Sequence, residues 1–192
     1  MVNSRAKGSK AERLLAKQLG DWTGLSFART PSSGGLHWGK SFATGDIVCT
    51  TEGKYFPFSI ECKNYNELNV TELICSRRTK QDPKIITFYK QCVRDAQEGK
   101  KIPMLFMKYN GLPKESWLVM FPKWYLDYFL NPEAFSYNYI ILNNLLPMEV
   151  CITDSNNLWE YSYKSIRKNI KLMMKNQKGL WEKLTREDYQ AI

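Results

Sequence analysis

Two short stretches of the chain hold carboxylates and a lysine at spacings that suit phosphate chemistry. Asp46 follows a glycine, and Glu61 and Lys63 stand two residues apart in a later run. Two carboxylates held close together can bind a hard divalent cation, leaving positions for water and phosphate oxygens. The cation lowers the pKa of its bound water, and a neighbouring lysine orients the nucleophile or stabilises developing negative charge. These three side chains therefore form a candidate metal site.

A β-hairpin predicted over residues 44–63 would bring them together. Two runs rich in β-branched and aromatic residues flank Glu52-Gly53, a pair suited to a two-residue turn. In that register Asp46 lies opposite Ser59, with Glu61 one diagonal step away on the same face. The hairpin thus predicts two converging carboxylates.

Side chains alternate between the faces of a strand, so Lys63 shares the polar face. A one-residue slip would put the charged set into the core, so the hydrophobic pattern supports this register. The alternative is a solvated hairpin face on which Glu-x-Lys merely lies near an aspartate. The opposite face receives only apolar side chains: Ile47, Cys49, Phe56, Phe58, Ile60 and Cys62.

The composition favours a polyanionic partner. The chain has 192 residues and a net charge of +9, which points to nucleic acid first and an anionic membrane surface second. The basic segment Lys164–Lys178 either contacts DNA or is a solvated helix face. Basic residues also cluster near the start, at Arg5, Lys7, Lys10, Arg13 and Lys17, and mid-chain, at Arg77, Arg78 and Lys80.

Other classes are excluded by what the sequence lacks. The five cysteines contain no C-x-x-C pair, and the single histidine, His37, rules out zinc-finger and zinc-hydrolase spacings. No stretch approaches the apolar length of a membrane span, and the N-terminus does not resemble a signal peptide. We therefore expect a soluble, cytoplasmic protein with reduced thiols that is not secreted and has no membrane partner.

Glu12 has two possible roles. Residues 1–8 are predicted to be a flexible basic arm, followed by a helix from Ser9 to about Trp22. Ser9-x-x-Glu12 matches a capping box. Glu12 also borders the apolar face of this helix, so its carboxylate could instead lean towards a site on the sheet.

The loop after the predicted strand Leu25–Arg29 matches a nucleotide-binding motif but lacks the structure that this motif requires. Residues 34–41 match G-x-x-x-x-G-K-[ST], but the chain re-enters a strand within five residues of Ser41. A phosphate-cradling loop needs a helix that starts at this position, so we predict no nucleotide binding. The loop is better interpreted, with Arg29, His37 and Lys40, as a contact to a nucleic-acid backbone.

The remaining pattern predicts an α/β fold with a mixed sheet. A helix over Lys84–Glu98, stopped by Gly99, precedes core strands over residues 101–108 and 116–121. A short helix over residues 123–130 ends the core, which we place at residues 1–130. Residues 131–192 are an α+β elaboration of the same domain, with strands at Tyr139–Leu142, Glu149–Ile152 and Leu158–Tyr163 before the basic helix.

Three motifs resemble one family. Asp46 with Ile60-Glu61-Cys62-Lys63 resembles the D…(D/E)-x-K core of the PD-(D/E)XK nuclease superfamily. Lys7-Gly-Ser-Lys-Ala-Glu-Arg13 resembles the opening helix of its archaeal-type Holliday junction resolvase branch. Arg29-Thr-Pro-Ser-Ser-Gly34 resembles the arginine and Ser-Gly loop of that branch. The resemblance spans about residues 5–108 and implies a restriction-endonuclease-like mixed central sheet flanked by helices.

The resemblance also implies roles for single residues. Asp46, Glu61 and the Cys62 carbonyl would bind Mg²⁺, for which Mn²⁺ would substitute. Lys63 would be the catalytic lysine, and Glu12 would complete the site. The residues expected to contact DNA, from the resemblance and the basic clusters together, are Arg5, Lys7, Arg29, Ser32, Ser33, Lys40, Arg77 and Arg78.

The implied function is a Mg²⁺-dependent DNA endonuclease of a prokaryotic, archaeal or phage-infected cell that resolves four-way junctions as a homodimer. Alternatives are a restriction-like, repair or single-strand nuclease of this fold, and a non-catalytic DNA-binding protein.

Two positions stand out in the comparison with the family's motifs. Gly45 replaces the family's usual proline, a change expected to be tolerated because that position supplies only backbone, and Gln91 sits where related nucleases carry a glutamine near the site.

Overall fold

The fold is taken from a computed structural model of the chain. It describes residues 4–30, 37–38, 41–42, 44–75, 82–130, 138–143, 146 and 148–186. The strands are β1 (Phe27–Arg29), β2 (His37–Trp38), β3 (Ser41–Phe42), β4 (Ile47–Cys49), β5 (Phe58–Asn64), β6 (Ile102–Lys108), β7 (Leu118–Pro122), β8 (Tyr139–Leu142) and β9 (Val150–Asp154). The helices are α1 (Ser4–Thr23), α2 (Thr71–Cys75), α3 (Lys84–Gly99), α4 (Lys123–Tyr125, continued by a π-helical turn over Leu126–Leu130), α5 (Ser155–Trp159), α6 (Tyr163–Asn176) and α7 (Lys178–Arg186).

Seven strands form one mixed sheet in the order β1-β4-β5-β6-β7-β9-β8. β5 and β6 are parallel and are joined through α3, whereas the other neighbouring pairs are antiparallel. The predicted α/β class with a mixed central sheet flanked by helices is confirmed. β8 and β9, which come from the C-terminal third, extend this sheet beyond β7.

A separate apolar cluster covers each face of the sheet. One joins the β5 residues Phe58, Ile60 and Cys62 to α1, α6 and α7. The other joins β6 residues to α3, whose buried stripe recurs at helical spacing from Ile85 to Ala96. Because side chains alternate along β5, its remaining residues Ser59, Glu61 and Lys63 face α3.

The hairpin has the predicted turn but a different register. Lys54 N donates to Thr51 O at 3.3 Å, and Gly53 has φ +64°. However, Ile47 pairs with Ile60, two residues from the predicted alignment. Residues 50–57 lie outside both strands and absorb the difference. A two-residue shift preserves the face of every side chain.

The prediction for the N-terminus is wrong from residue 4 onward. α1 begins at Ser4, so Ser9 lies inside the helix and cannot cap it. Tertiary contacts hold the extra turn, because Lys7 Nζ donates to Asn66 Oδ1 at 2.5 Å. The Asn64 amide also donates to Lys7 O at 3.5 Å. The capping role considered for Glu12 is therefore excluded.

The predicted strand over Leu158–Tyr163 is also wrong. α5 ends at Trp159 and α6 begins at Tyr163. Asp154 Oδ1 accepts from Asn156 N at 2.8 Å and caps α5. A smaller correction concerns the end of α3, which includes Gly99, while Lys100 takes the left-handed conformation with φ +50°.

Candidate active site

Glu61 is an acidic residue in the middle of β5, a strand whose first five residues are buried. Only 1% of Glu61 is exposed, and its Oε1 lies 2.5 Å from Lys63 Nζ. Burial, and then the charge of Asp46, raise the pKa of Glu61 to about 7, although the attraction of Lys63 opposes both effects. A carboxyl with this pKa exchanges its proton near neutral pH, and its charged form needs a nearby cation.

The backbone of β4 and β5 places Asp46 beside Glu61. Asp46 N donates to Ile60 O at 2.7 Å, and Cys62 N donates to Asp46 Oδ2 at 2.9 Å. Thr30 N, at the end of β1, donates to Asp46 O at 2.9 Å. The carboxylate is thus fixed against β5 by bonds to both its backbone and its side chain.

Gly45 is essential to this arrangement. Its φ is +85°, and a Cβ built on it would lie 2.4 Å from Ile60 O. Proline has φ fixed near −65°, so the proline usual in the resembling family could not adopt this backbone. Glycine at this position was expected to be tolerated; in this backbone it is required, because the chain approaches β5 too closely for any side chain.

Glu12 approaches the site from α1. Its carboxylate forms an ion pair with Arg29 Nε, and both side chains are largely shielded from solvent. Burial raises the pKa of Asp46; Cys62 N–H and Lys63 oppose this shift, Glu12 adds to it, and Arg29 opposes it. Glu12 and Arg29 are therefore close enough to influence the Asp46 charge.

Lys63 is held between acidic and aromatic groups. Burial lowers its pKa, but the attraction of Glu61 and then Asp46 outweighs burial, so the pKa is raised. Its Nζ also lies 5.5 Å from the centroid of the Phe88 ring on α3. Lys63 consequently remains a protonated ammonium at neutral pH.

One acidic neighbour was missed from the sequence. Asp95 on α3 is half-buried, and its pKa is raised by burial, then by Glu98 and Asp46. It lies seven residues after Phe88 on one face of the helix, so helical spacing could have indicated it. Gln91, by contrast, is exposed on α3.

The donors of this site suit a hard divalent cation. Asp46, Glu61 and the Cys62 carbonyl offer only oxygen atoms, the ligand type that Mg²⁺ and Mn²⁺ prefer. The pKa values of these two adjacent carboxylates are both raised, and the charge of Asp46 contributes to the shift of Glu61, so both would gain from a cation between them. Within the described residues, no group of three or more His, Cys, Asp or Glu side chains is arranged to hold a metal. Mg²⁺ sites commonly need only one or two carboxylates, with water and substrate phosphates as further ligands.

The residues expected to contact DNA are only partly described. Lys7 donates a hydrogen bond to Asn66, and Arg29 forms an ion pair with Glu12. Lys7 and Arg29 therefore both lie near the end of α1 that borders the site. Arg5 lies in the first turns of α1. Ser41 begins a strand and not a helix, in agreement with the rejection of a nucleotide loop. Ser32, Ser33, Lys40, Arg77 and Arg78 lie outside the described residues.

A mixed sheet that presents an aspartate and a Glu-x-Lys pair on adjacent strands defines the class of PD-(D/E)XK nucleases. The model of one family in this class, described as "Phage putative PDDEXK endonuclease", matches residues 3–168. The chain belongs to this phage PDDEXK endonuclease family, and the predicted nuclease superfamily is confirmed.

The chain is also similar to a solved structure. It is Archaeoglobus fulgidus Hjc, described as a Holliday junction resolvase from an archaeal hyperthermophile. It is 20% identical, and the match covers 58% of this chain and 74% of that chain with a TM-score of 0.33. The sequence has no significant match among curated proteins. Across the described residues, no helix has the length and apolar character needed to cross a bilayer.

Proposed function

We propose that the protein is a Mg²⁺-dependent DNA endonuclease that cuts branched DNA, with the four-way junction as its preferred substrate. The observation that carries the proposal is the convergence of Asp46, Glu61 and Lys63, where a 1%-exposed glutamate contacts a lysine at 2.5 Å. Burying charged groups such as these lowers the stability of the fold. Carboxyl groups with strongly shifted pKa values are concentrated at binding and catalytic sites.

The carboxylates of Asp46 and Glu61 and the Cys62 carbonyl would hold Mg²⁺, with Mn²⁺ as a substitute. The bound cation supplies a water of lowered pKa and offsets charge on the phosphate. The Cys62 N–H bond fixes the Asp46 carboxylate in place. These protein groups therefore provide a preformed oxygen-lined site on a rigid strand.

Lys63 supplies positive charge close to the reacting phosphate. It is protonated and is anchored beside Glu61 and Phe88, so it can stabilise negative charge without large rearrangement. Arg29 would contact a phosphate of the scissile strand, and its ion pair with Glu12 would orient it. Glu12 thus acts as a positioning residue in this scheme.

The preference for branched DNA rests on motif resemblance and charge. The opening helix with Lys7 and the Arg29-Thr-Pro-Ser-Ser-Gly34 segment resemble resolvase motifs, and the net charge of +9 favours a large DNA surface. A homodimer with two-fold symmetry would present two sites to the two strands of a junction.

Cleavage of a labelled four-way junction with Mg²⁺ tests the chemistry. We expect Asp46→Asn and Glu61→Gln to abolish cleavage while junction binding stays nearly intact. Glu52→Gln, in the exposed turn of the same hairpin, is the matched control and should cleave normally. Substantial Mg²⁺-dependent cleavage by both site variants would overturn the metal assignment.

A substrate panel tests the preference. Four-way, flap, linear duplex and single-stranded DNAs should be compared under one set of conditions, with the junction cut fastest. Equal cutting of linear duplex would instead indicate a restriction-like or repair nuclease of the same fold. Salt-sensitive binding without cleavage in any divalent metal would indicate a non-catalytic DNA-binding protein.

A further inference from the structure

α6 carries an unusual concentration of one charge. Its fourteen residues, Tyr163–Asn176, include five basic side chains and no Asp or Glu. The whole chain has a net charge of +9, so this one helix accounts for more than half of the excess. Such a bias is not needed for solubility in a chain that is already basic.

Four lysines form a single stripe along this helix, which we call the lysine stripe: Lys164, Lys168, Lys171 and Lys175. Their spacing of four, seven and eleven residues keeps them within about a sixth of the helix circumference. All four are exposed, and the stripe is about 16 Å long at the usual helical rise. The opposite side is buried in the core through Tyr163, Ile166, Ile170 and Met173.

Several lysines on other elements have acidic partners. Lys17 lies 2.7 Å from Asp21, Lys90 lies 2.8 Å from Asp82, and Lys123 lies 2.7 Å from Asp127. No member of the lysine stripe forms an ion pair or hydrogen bond with any described residue. Like charges at this spacing destabilise a helix. The stripe therefore opposes helix stability and is suited to an external polyanion.

We infer that the lysine stripe is a second DNA-contact surface, which binds phosphates of a segment that flanks the cleavage site. Four amines along 16 Å can lie beside the phosphates that border a groove, because each strand presents about five phosphates over this distance, one about every 3.4 Å of the DNA axis. The inference deepens the proposed function and rests on it for the identity of the partner.

The position of the stripe indicates a flanking segment and not the scissile phosphate. Tyr163, at the start of α6, packs against Trp22 with ring centroids 5.3 Å apart. Glu12, which borders the active site, lies ten residues before Trp22 on α1, or about 15 Å along the helix. The stripe lies on the side of α6 away from Tyr163, and α6 covers the sheet face opposite Glu61 and Lys63. DNA that reaches both places must therefore extend several base pairs from the cut and pass around the edge of the sheet.

A lipid surface fits less well. The apolar side of α6 is already packed against the protein core and cannot enter a bilayer. Leu172 is the exposed large apolar residue of this helix, with 46% of its surface accessible. Charge without an available apolar face favours a phosphate backbone over a membrane.

The test compares two triple variants with the same net charge. One is Lys168→Gln/Lys171→Gln/Lys175→Gln, in the stripe; the other is Lys17→Gln/Lys90→Gln/Lys123→Gln, whose lysines have carboxylate partners. Binding of junctions with long and short arms is measured by fluorescence anisotropy in EDTA over a range of salt. We expect the stripe variant to bind the long-arm junction at least tenfold more weakly, with a salt slope lower by about 2 to 3. The control variant and the short-arm junction should change less than threefold.

The outcomes separate the inference from the nuclease proposal. Equal weakening by both triple variants, or no weakening by either, would overturn the stripe as a surface. Loss of binding to phosphatidylserine vesicles with unchanged DNA binding would overturn DNA as the partner. Because binding is read without metal, absence of cleavage by the wild type would contradict the nuclease proposal and leave the stripe result valid.

Discussion

The polar face of β5 and the lysine stripe of α6 use charge in opposite ways. On β5, Glu61 is 1% exposed and contacts Lys63 at 2.5 Å, so each charge depends on a particular neighbour. On α6, four exposed lysines have no partner among the described residues. Burying a charge costs free energy, and its effect depends on the exact position of its partner. An exposed charge costs little, and such charges act together through the total charge of the surface.

This difference predicts that single substitutions on β5 have large effects and those on α6 have small ones. On β5, removing one group leaves another buried and unsatisfied. On α6, solvent screens each loss and the remaining lysines continue to attract the same polyanion.

The largest effect is expected for Lys63→Met. It removes the positive charge that we propose lies beside the reacting phosphate while keeping the length of the side chain, so cleavage should fall by at least about a hundredfold. Single-turnover cleavage of a four-way junction measures it. Lys54→Met, in the exposed turn, is the control and should stay within a factor of two. A fall of less than tenfold would contradict the role of Lys63.

Alanine substitution should destabilise the protein more at Gly45 than at Gly53, because only Gly45 lies against another strand. Gly45→Ala would place a Cβ 2.4 Å from Ile60 O at φ +85°, so we expect the free energy of unfolding to fall by about 3 kcal/mol. Gly53 has φ +64° with nothing within 4 Å of a Cβ, so its alanine variant should lose only about 1 kcal/mol. Urea denaturation measures both. Equal losses would mean that Asp46 is not held by close contact with β5.

The stability of the protein should also depend on the Glu61 proton. In the folded state its pKa is about 7, above the ordinary 4.5, because burial favours the neutral form. Between these pH values the folded state binds more protons than the unfolded state, so stability falls as pH rises. We expect a loss of about 3 kcal/mol across this window in EDTA.

Glu61→Gln provides the reference for this prediction, since it cannot titrate. Its free energy of unfolding, measured by urea denaturation at each pH, should lack this fall. If the free energy of unfolding changed with pH in the same way for the wild type and the variant, the pKa of Glu61 would be the same in the folded and unfolded states.

The smallest effect is expected for Lys171→Gln. Its side chain is exposed and has no ion-pair or hydrogen-bond partner among the described residues, so the free energy of unfolding should change by less than about 0.5 kcal/mol. Relief of repulsion along the stripe would make any change slightly stabilising. A loss above 1 kcal/mol in urea denaturation would indicate that the lysine supports the fold.

The β5 site was largely predictable because strand periodicity fixes faces even when the register is uncertain. Asp46, Glu61 and Lys63 were placed on one face from alternation, and a shift of two residues did not change that result. The two-residue shift in register arises because residues 50–57 belong to neither strand, and their sequence has no pattern that would have indicated this.

Tertiary contacts account for what the sequence could not predict. Ser9 looks like a helix cap, but Lys7 and Asn66 hold an earlier turn that local propensity does not reveal. Leu158–Tyr163 reads as a strand, yet Asp154 caps a helix there. Gly45 reads as an ordinary substitution for proline until Ile60 O is found directly beside it.

The parallel pairing of β5 and β6 has a consequence for how the site forms. Phe58 pairs with Ile102, so the strand that carries Glu61 gains this neighbour only after α3 has been made and has crossed the sheet. Closing such a long loop is slow compared with forming local turns. A chain emerging from a ribosome would therefore hold Asp46 and Glu61 in place only after β6 is available, and the face of β5 that carries Glu61 and Lys63 should be among the later parts of the protein to mature.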